Sequence, residues 1–152
     1  MQSAGNGFSF ATVIWAPDSK RFAFNYSPPH AHHTTYETVA FYQLRGDKWV
    51  ALPSPVDETS NRSQLAQLAK GHLSKSSRRQ SKDSESTRDI LRVRNWSDAN
   101  TAILYAYSDA WGPSKSTAAF LFTLKFDAEG NSKIVEAHQL SEKEVEAKGD
   151  QF

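Results

Sequence analysis

The chain has 152 residues, of which 38% are hydrophobic and 12% aromatic, and this is enough apolar material for the core of one domain. Because the chain contains no cysteine, a disulfide framework, a thiolate metal site and a catalytic cysteine are excluded. A net charge of +1 argues against a strongly basic nucleic-acid-binding protein, and no apolar run approaches the roughly 20 residues of a membrane-spanning helix.

The first part of the chain has the alternation and composition of β-strands. "FSFATVIW" and "RFAFNYS" flank the turn "APDSK", in which proline, aspartate and serine favour a bend. A loop, "SPPHAHHTT", precedes the strand "YETVAFYQL", the tight turn "RGD" and the strand "KWVALPS". The pattern predicts a four-stranded antiparallel meander, which we call half 1, over about residues 8–56.

Residues 57–87 change period and predict a helix followed by a linker. Apolar or weakly polar residues recur at helical spacing, at Leu65, Leu68, Ala69, His72 and Leu73. This spacing predicts an amphipathic helix of about three to four turns that covers an open edge or end of the sheet, with Ser60 or Asn61 as N-cap. The polar segment "SKSSRRQSKDSEST" then predicts a solvated linker.

Strand patterns resume over residues 88–140, which we call half 2. Four strands are predicted in "DILRVRNW", "TAILYAYS", "STAAFLFTLKF" and "SKIVEAHQL", with "DAEGN" as a hairpin loop. In the tail, residues 141–152, Ser141 and Glu144 have the spacing of a capping box and predict a short terminal helix.

The two predicted meanders match each other in sequence. When Trp15 is set against Trp96, the alignment runs without a gap to Ser27 and Ser108. The pairs within it include Phe22 with Ile103, Ala23 with Leu104, Phe24 with Tyr105, and Tyr26 with Tyr107. We interpret the match as an internal duplication. The alternative is that any two aromatic-rich meanders align passably.

The stretch "WAPDSKRFAF", residues 15–24, resembles the "W-S-P-D-G-K-x-I-A-F" signature of TolB-like (PD40-type) β-propeller repeats. It departs from the signature at Ala16 and Ser19, and the second half keeps Trp96 but lacks the Pro-Asp pair. The resemblance implies a strand–turn–strand unit of a bacterial scaffold that is often exported. It therefore favours a periplasmic or secreted location over a cytoplasmic one.

Two blade-like sheets cannot close a propeller, which needs at least four blades. We therefore expect a mainly β fold with one or two helices, in which two four-stranded antiparallel, internally duplicated meanders pack as a sandwich or flattened barrel with one inserted amphipathic helix. The predicted core between the sheets consists of Phe22, Phe24, Phe41, Trp49, Tyr105, Phe120 and Phe122.

The loop after the second strand is a candidate metal site because it carries His30, His32 and His33. In an extended segment His30 and His32 point the same way, as paired imidazole ligands of zinc, copper or nickel do. Asp109 is the candidate third ligand, since the duplication makes "SDAWGPSKS" the equivalent loop. The alternative is a solvated histidine-rich loop that binds no metal.

Trp111 lies beside Gly-Pro in that second loop, where it is either a lid on the core or an exposed stacking surface. Together with Tyr26, Tyr107, Asp109 and the histidines at positions 30, 32 and 33, it forms the predicted ligand-binding edge.

No catalytic or cofactor motif is present: there is no serine-nucleophile motif with partners and no glycine-rich phosphate loop. The sequence therefore predicts a small soluble non-enzymatic binding or protein-interaction module of bacterial type, without a cofactor. The alternative is a metal-dependent enzyme or metal-binding protein centred on the loop His30–His33. A homodimer formed through sheet edges is a further alternative. The basic stretch Arg78–Arg94 is interpreted as a solvated linker and strand face, and no nucleic-acid partner is predicted.

Overall fold

The computed structural model describes residues 11–28, 35–57, 59–60, 62–70, 88–111 and 116–148. These residues form eight strands and two short helices. In chain order the elements are β1 (Ala11–Trp15), β2 (Arg21–Tyr26), β3 (Thr35–Arg45), β4 (Lys48–Ala51), α1 (Gln64–Ala69), β5 (Arg88–Asp98), β6 (Thr101–Trp111), β7 (Ser116–Phe126), β8 (Ser132–Gln139) and α2 (Glu142–Lys148).

All eight strands belong to one mixed sheet. Its order is β1-β2-β3-β5-β6-β7-β8, and β4 pairs with β3. The strands of each half pair antiparallel, whereas a short parallel ladder of Thr35–Glu37 with Arg88–Ile90 joins β3 to β5. The mainly β class and the two antiparallel meanders are thus confirmed. The flattened-barrel alternative is wrong, because β1 and β8, at the two ends of this order, do not pair in the described strands.

Beyond the short parallel ladder, the two halves pack face to face. The ring of Phe41 on β3 lies edge-on to Trp96 and to Phe126, with centroid distances of 6.1 and 5.0 Å. One core cluster includes residues of both halves, among them Ala23, Val39, Phe41, Val93, Leu104 and Phe122. We call the faces that meet here the inner faces, and the opposite sides of the sheet the outer faces.

Asn25 links the two halves by taking the place of a neighbouring strand. Its side-chain amide donates to the carbonyl of Val93 at 3.0 Å and accepts from the Val93 N–H at 2.8 Å. The ladder between β3 and β5 ends at Ile90, so the edge of β5 at Val93 that faces half 1 is not paired with β3. The buried amide therefore satisfies backbone groups that would otherwise lack partners.

Arg21 is a second polar link between the halves and is 7% exposed. Its guanidinium donates to Gln43 at 2.7 Å, to the side chain of Asn100 at 2.6 Å and to the carbonyl of Asp127 at 2.7 Å. It also lies 5.2 Å from the centre of the Phe126 ring. Burial lowers the pKa of Arg21, and the nearby carboxylates of Asp18 and Asp127 oppose that shift. The inner face of β2 thus binds half 2 largely through polar groups.

Helix α1 packs into the inner core through Leu65 and Leu68. Its N-cap is Ser63, whose side chain accepts from the N–H of Ala66 at 3.2 Å, so the predicted caps Ser60 and Asn61 are wrong. Gln64 anchors the helix start by donating from its side chain to Asp89 at 3.1 Å. The described helix covers six residues, and the predicted His72, Leu73 and polar linker lie outside the described residues.

Helix α2 covers part of the outer face of half 2. The predicted capping box is confirmed: Ser141 N–H donates to Glu144 Oε1 at 2.9 Å, and Glu144 N–H donates to Ser141 Oγ at 3.1 Å. Val145 packs against a cluster in which Tyr105 is 6% exposed. The other buried members of the cluster are Ile90, Ala119 and Leu140. Burial also raises the pKa of the Tyr105 hydroxyl.

The inner face of β2 differs from the predicted one. Its buried residues are Arg21, Ala23 and Asn25, whereas Phe22 and Phe24 are half-buried on the outer face. Trp49 is 42% exposed. Placing these three aromatic residues in the core between the sheets was wrong, because β2 lies against β5 with small and polar side chains. The predicted burial of Phe41, Tyr105, Phe120 and Phe122 is confirmed.

The two tryptophans that anchor the sequence match have different environments. Trp15 is 52% exposed on the outer face, whereas Trp96 is 8% exposed in the inner core. The register of β5 against β6 shifts on both sides of Trp96, and an extra residue turns the following side chain to the opposite face. The equivalence of the two tryptophans is therefore wrong. The duplication itself stays a prediction.

Candidate functional site: an exposed aromatic face

The outer face of half 1 is a continuous apolar surface, which we call the aromatic face. Strand register places Val13 beside Phe24, Trp15 beside Phe22, and Leu44 beside Trp49. Tyr42 lies next to Phe22 on the other side. The paired outward positions of these four strands are Ala11, Val13, Trp15, Phe22, Phe24, Tyr26, Thr38, Ala40, Tyr42, Leu44, Trp49 and Ala51.

The rings of the aromatic face contact one another across the four strands β1 to β4. Phe22 lies at its centre, stacked on Tyr42 at 4.9 Å and edge-on to Trp49 at 5.1 Å between ring centroids. Trp15 contacts Phe22 at 5.0 Å and Trp49 at 5.6 Å. Because each ring restrains its neighbours, the surface is ordered before any partner binds.

The aromatic face is exposed and uncharged. Val13 is 45% exposed, Trp15 52% and Trp49 42%. None of its outward strand positions carries an ionisable acid or base apart from the tyrosine hydroxyls. Exposed charges lie at the turns at one end, where Asp18 and Lys20 are in one turn and Arg45, Asp47 and Lys48 are at the other. A large exposed apolar patch with a polar rim is typical of an interaction surface.

In the described part of the chain, neither helix packs on the aromatic face. Helix α1 packs mainly on β5, β6 and β7, and its first residue, Gln64, hydrogen-bonds to Thr38 and Glu37 of β3. The apolar residue of α2, Val145, packs on the outer cluster of half 2. Sheet faces of this composition normally pack against a second layer. Within the described residues, neither helix therefore provides for the aromatic face the layer that α2 provides for half 2.

The histidines of the predicted metal site, His30, His32 and His33, lie outside the described residues. Within the described residues, no group of three or more histidine, aspartate or glutamate side chains is placed to hold a metal ion. The predicted third ligand, Asp109, instead accepts a hydrogen bond from the N–H of Arg88 at 3.1 Å. The metal hypothesis stays a prediction for the loop alone.

The structure separates the two tyrosines of the predicted binding edge. Tyr26 lies on β2 and Tyr107 on β6, with β3 and β5 between them, which is a distance of about 14 Å across the sheet. Tyr26 stacks on Phe24 at 5.2 Å and belongs to the aromatic face. Tyr107 lies under the guanidinium of Arg88 at 5.0 Å. Tyr107 and Asp109 therefore both contact Arg88, which links the start of β5 to β6.

Trp111 is the last residue of β6 and is 5% exposed. Its ring lies 5.6 Å from that of Phe120 inside the main core cluster. Of the two alternatives, the lid on the core is confirmed, and the exposed stacking surface is wrong. A tryptophan beside Gly-Pro gave no signal that separates these cases.

An open groove of about 440 Å³ lies between α1, the segment after β4 and the β7–β8 hairpin. Its lining includes Lys70 and Lys133 with an apolar wall that contains Leu68 and Ile134. The amide of Gln67, which also lines it, already bonds to the backbone of Asp57. The charged groups that the groove offers to a polar ligand are exposed lysines, beside the side chains of Ser54, Asn131 and Ser132, and the aromatic face is the better-defined site.

Comparison with known proteins gives no relative: no family model, no curated protein and no solved structure matches the chain. The resemblance of residues 15–24 to TolB-like repeats therefore stays a prediction. Neither described helix has the length and apolar character needed to cross a membrane.

Proposed function

We propose that the protein is a non-enzymatic interaction module that binds an apolar protein surface through the aromatic face of half 1. The observation that carries the proposal is the exposure of Trp15 and Trp49 within one ordered ring cluster. Tryptophan, tyrosine and phenylalanine are enriched at the centres of protein interfaces, where they supply most of the binding free energy.

The chemistry of the face favours a protein over a sugar or an ion. Carbohydrate sites combine a flat aromatic platform with several polar side chains, because sugar hydroxyls need hydrogen-bond partners. Here Trp15 and Phe22 both meet Trp49 edge-on, at 70° and 65°, so the rings form a ridged surface. The paired outward positions of the four strands provide tyrosine hydroxyls and the hydroxyl of Thr38, which is buried and donates to Gln64. A ridged, apolar and uncharged surface of this kind packs against the apolar side chains of a protein partner.

The proposal is tested with the dye bis-ANS, whose fluorescence rises when it binds exposed apolar surface. The wild type is compared at submicromolar protein with the double variant Trp15→Ser and Trp49→Ser. The matched control is Val135→Ser, because Val135 is an equally exposed hydrophobic residue (47%) on β8, far from the face in the strand order.

We expect the double variant to lose most of the dye fluorescence, roughly fivefold, while the control keeps it. Circular dichroism is recorded for each variant to verify that it retains the fold. Equal fluorescence from the wild type and the double variant, with the fold intact, would refute an apolar binding surface at this place.

A further inference from the structure

We infer that the partner of the aromatic face is a second copy of this chain, so that two aromatic faces stack across a two-fold axis. This inference rests on the proposed function and names its partner. It differs from pairing through sheet edges, because the contact is formed by outward side chains such as Phe22 and Trp49 and not by the backbone of an edge strand.

The distribution of charge on and around the aromatic face favours a second copy as the partner. The outward strand positions of the face are uncharged, so two copies meet without like-charge repulsion, and the face offers no complement to a strongly charged partner. The two adjacent turns carry charges of both signs: Asp18 with Lys20, and Asp47 with Arg45 and Lys48. A rim with both signs is complementary to itself under two-fold symmetry, where a patch contacts the same patch of its partner.

The shape of the aromatic face also favours a second copy. The face is one side of a twisted antiparallel meander, and two such sheets pack face to face at about 10 Å with interdigitating side chains. The ridges formed by Trp15 and Trp49, whose rings are inclined at 70°, leave spaces beside them on the sheet. A copy rotated by 180° presents the same ridges, so two faces interdigitate with tilted aromatic contacts, the arrangement that rings prefer.

The exposed area of the aromatic face determines how tightly we expect two copies to bind. A fully exposed large aromatic side chain has on the order of 200 Å² of surface, so the exposed fractions of Trp15 and Trp49 provide together about 200 Å². With the half-buried rings around them, each copy contributes on the order of 500 Å². This is below the approximately 800 Å² per partner of a standard stable complex, so we expect a weak, reversible dimer with a micromolar dissociation constant.

The experiment measures self-association of the full chain by sedimentation velocity and light scattering from 1 to 300 µM. The test variant is Trp49→Glu, which places two carboxylates in the apolar contact. The matched control is Val50→Glu: it is the adjacent residue of the same edge strand, it is 37% exposed, and strand alternation directs it to the opposite side of the sheet. Circular dichroism and urea midpoints verify that both variants are folded.

We expect the wild type to change from monomer to dimer within this range, Trp49→Glu to weaken the association at least tenfold, and Val50→Glu to leave it within about twofold. A wild type that is monomeric up to 300 µM overturns the inference. So does a dimer that Trp49→Glu leaves unchanged, or one that both variants weaken equally, since the latter result indicates pairing through the edge of β4.

The two proposals fail separately. If the dye binds the face at submicromolar protein but the chain stays monomeric at 300 µM, the interaction surface stands and the second copy is excluded as its partner. If the dye does not bind the wild type at submicromolar protein, where the monomer predominates, the interaction surface itself is refuted.

Discussion

The outer faces of the two halves carry rings at corresponding strand positions but differ in what covers them. In half 2, Leu140 and the α2 residue Val145 pack on Tyr105, which is 6% exposed. In half 1, Phe24 occupies the position that the sequence match pairs with Tyr105, and no described element covers the face around it. Among the described elements, α2 thus packs on the outer face of half 2, and neither helix packs on the outer face of half 1.

The difference shows that aromatic content alone does not identify a core. Strand β2 of half 1 contacts half 2 through its polar inner face, with Asn25 and Arg21 as links. The rings at the outward positions of β2 are therefore not part of this contact. Half 2 has large apolar residues on its inner face, such as Phe122 and Leu104, and a second small cluster on its outer face. Four predictions test this contrast, from the largest expected effect to the smallest.

The corresponding pair Tyr105 and Phe24 gives the most direct mutational contrast. We expect Tyr105→Ala to lower the free energy of unfolding by about 4 kcal/mol, because it leaves a cavity under α2. Phe24→Ala removes a half-buried ring that lies outside the inner core and is expected to cost about 1 kcal/mol. Urea unfolding at submicromolar protein measures both. Equal losses at the two positions would show that the outer faces are not different.

The polar link is tested by Asn25→Ala, which leaves the N–H and carbonyl of Val93 without partners in the core. Each buried unsatisfied group costs about 1–3 kcal/mol, so we expect a total loss of about 3 kcal/mol. Asn95→Ala is the control, since Asn95 is an exposed asparagine in a strand. A loss at Asn25 as small as that at Asn95 would contradict its role as a substitute strand.

The substitution Val145→Asp is expected to expose the outer face of half 2. Burying a carboxylate against the apolar cluster of Tyr105 and Leu140 is unfavourable, so α2 should detach from it. We expect a loss of about 1–2 kcal/mol and a second binding site for bis-ANS, which appears in a titration as doubled stoichiometry. The exposed residue Glu142 on the same helix provides the control, Glu142→Ala. Unchanged dye stoichiometry in the folded Val145 variant would mean that α2 does not cover the face.

The smallest effect concerns pH. The backbone N–H of Ser141 lowers the pKa of Glu144 below its ordinary value. A depressed pKa in the folded state stabilises the capping box above the ordinary pKa, and this contribution is lost as pH falls through the lowered value. We expect the Val145 methyl signals to shift toward undocked values as pH falls through the lowered pKa of Glu144, and to do so less in Glu144→Gln. The same titration curve in both proteins would rule out this cause.

Local chemistry made several elements predictable from the sequence. The turn in "RGD" depends on Gly46 at a φ of 65°, and the loop in "DAEGN" on Gly130 at a φ of 90°. A side chain on Gly130 would also collide with the side chain of Leu52. The capping box of Ser141 and Glu144 involves neighbouring residues and was likewise readable. These features arise within a few residues, so the sequence pattern contains them.

The orientation of β2 was not predictable in the same way. Its alternation marks two faces but does not say which one meets half 2, and hydrophobicity assigned the rings to the core. The deciding contacts link residues far apart in sequence, such as Asn25 with Val93, 68 positions later. The bulges around Trp96 also left no turn residue as a signal. The aromatic face was therefore missed, although its rings were all identified.

The most direct test of the central claim is hydroxyl-radical footprinting of the wild type at submicromolar concentration, with oxidation of each tryptophan quantified by mass spectrometry. The account predicts that Trp15 and Trp49, 52% and 42% exposed, oxidise several times faster than Trp96 and Trp111, 8% and 5% exposed. Protection of Trp15 and Trp49 to the level of Trp96 would contradict it, because the rings of half 1 would then be buried within a single copy of the chain.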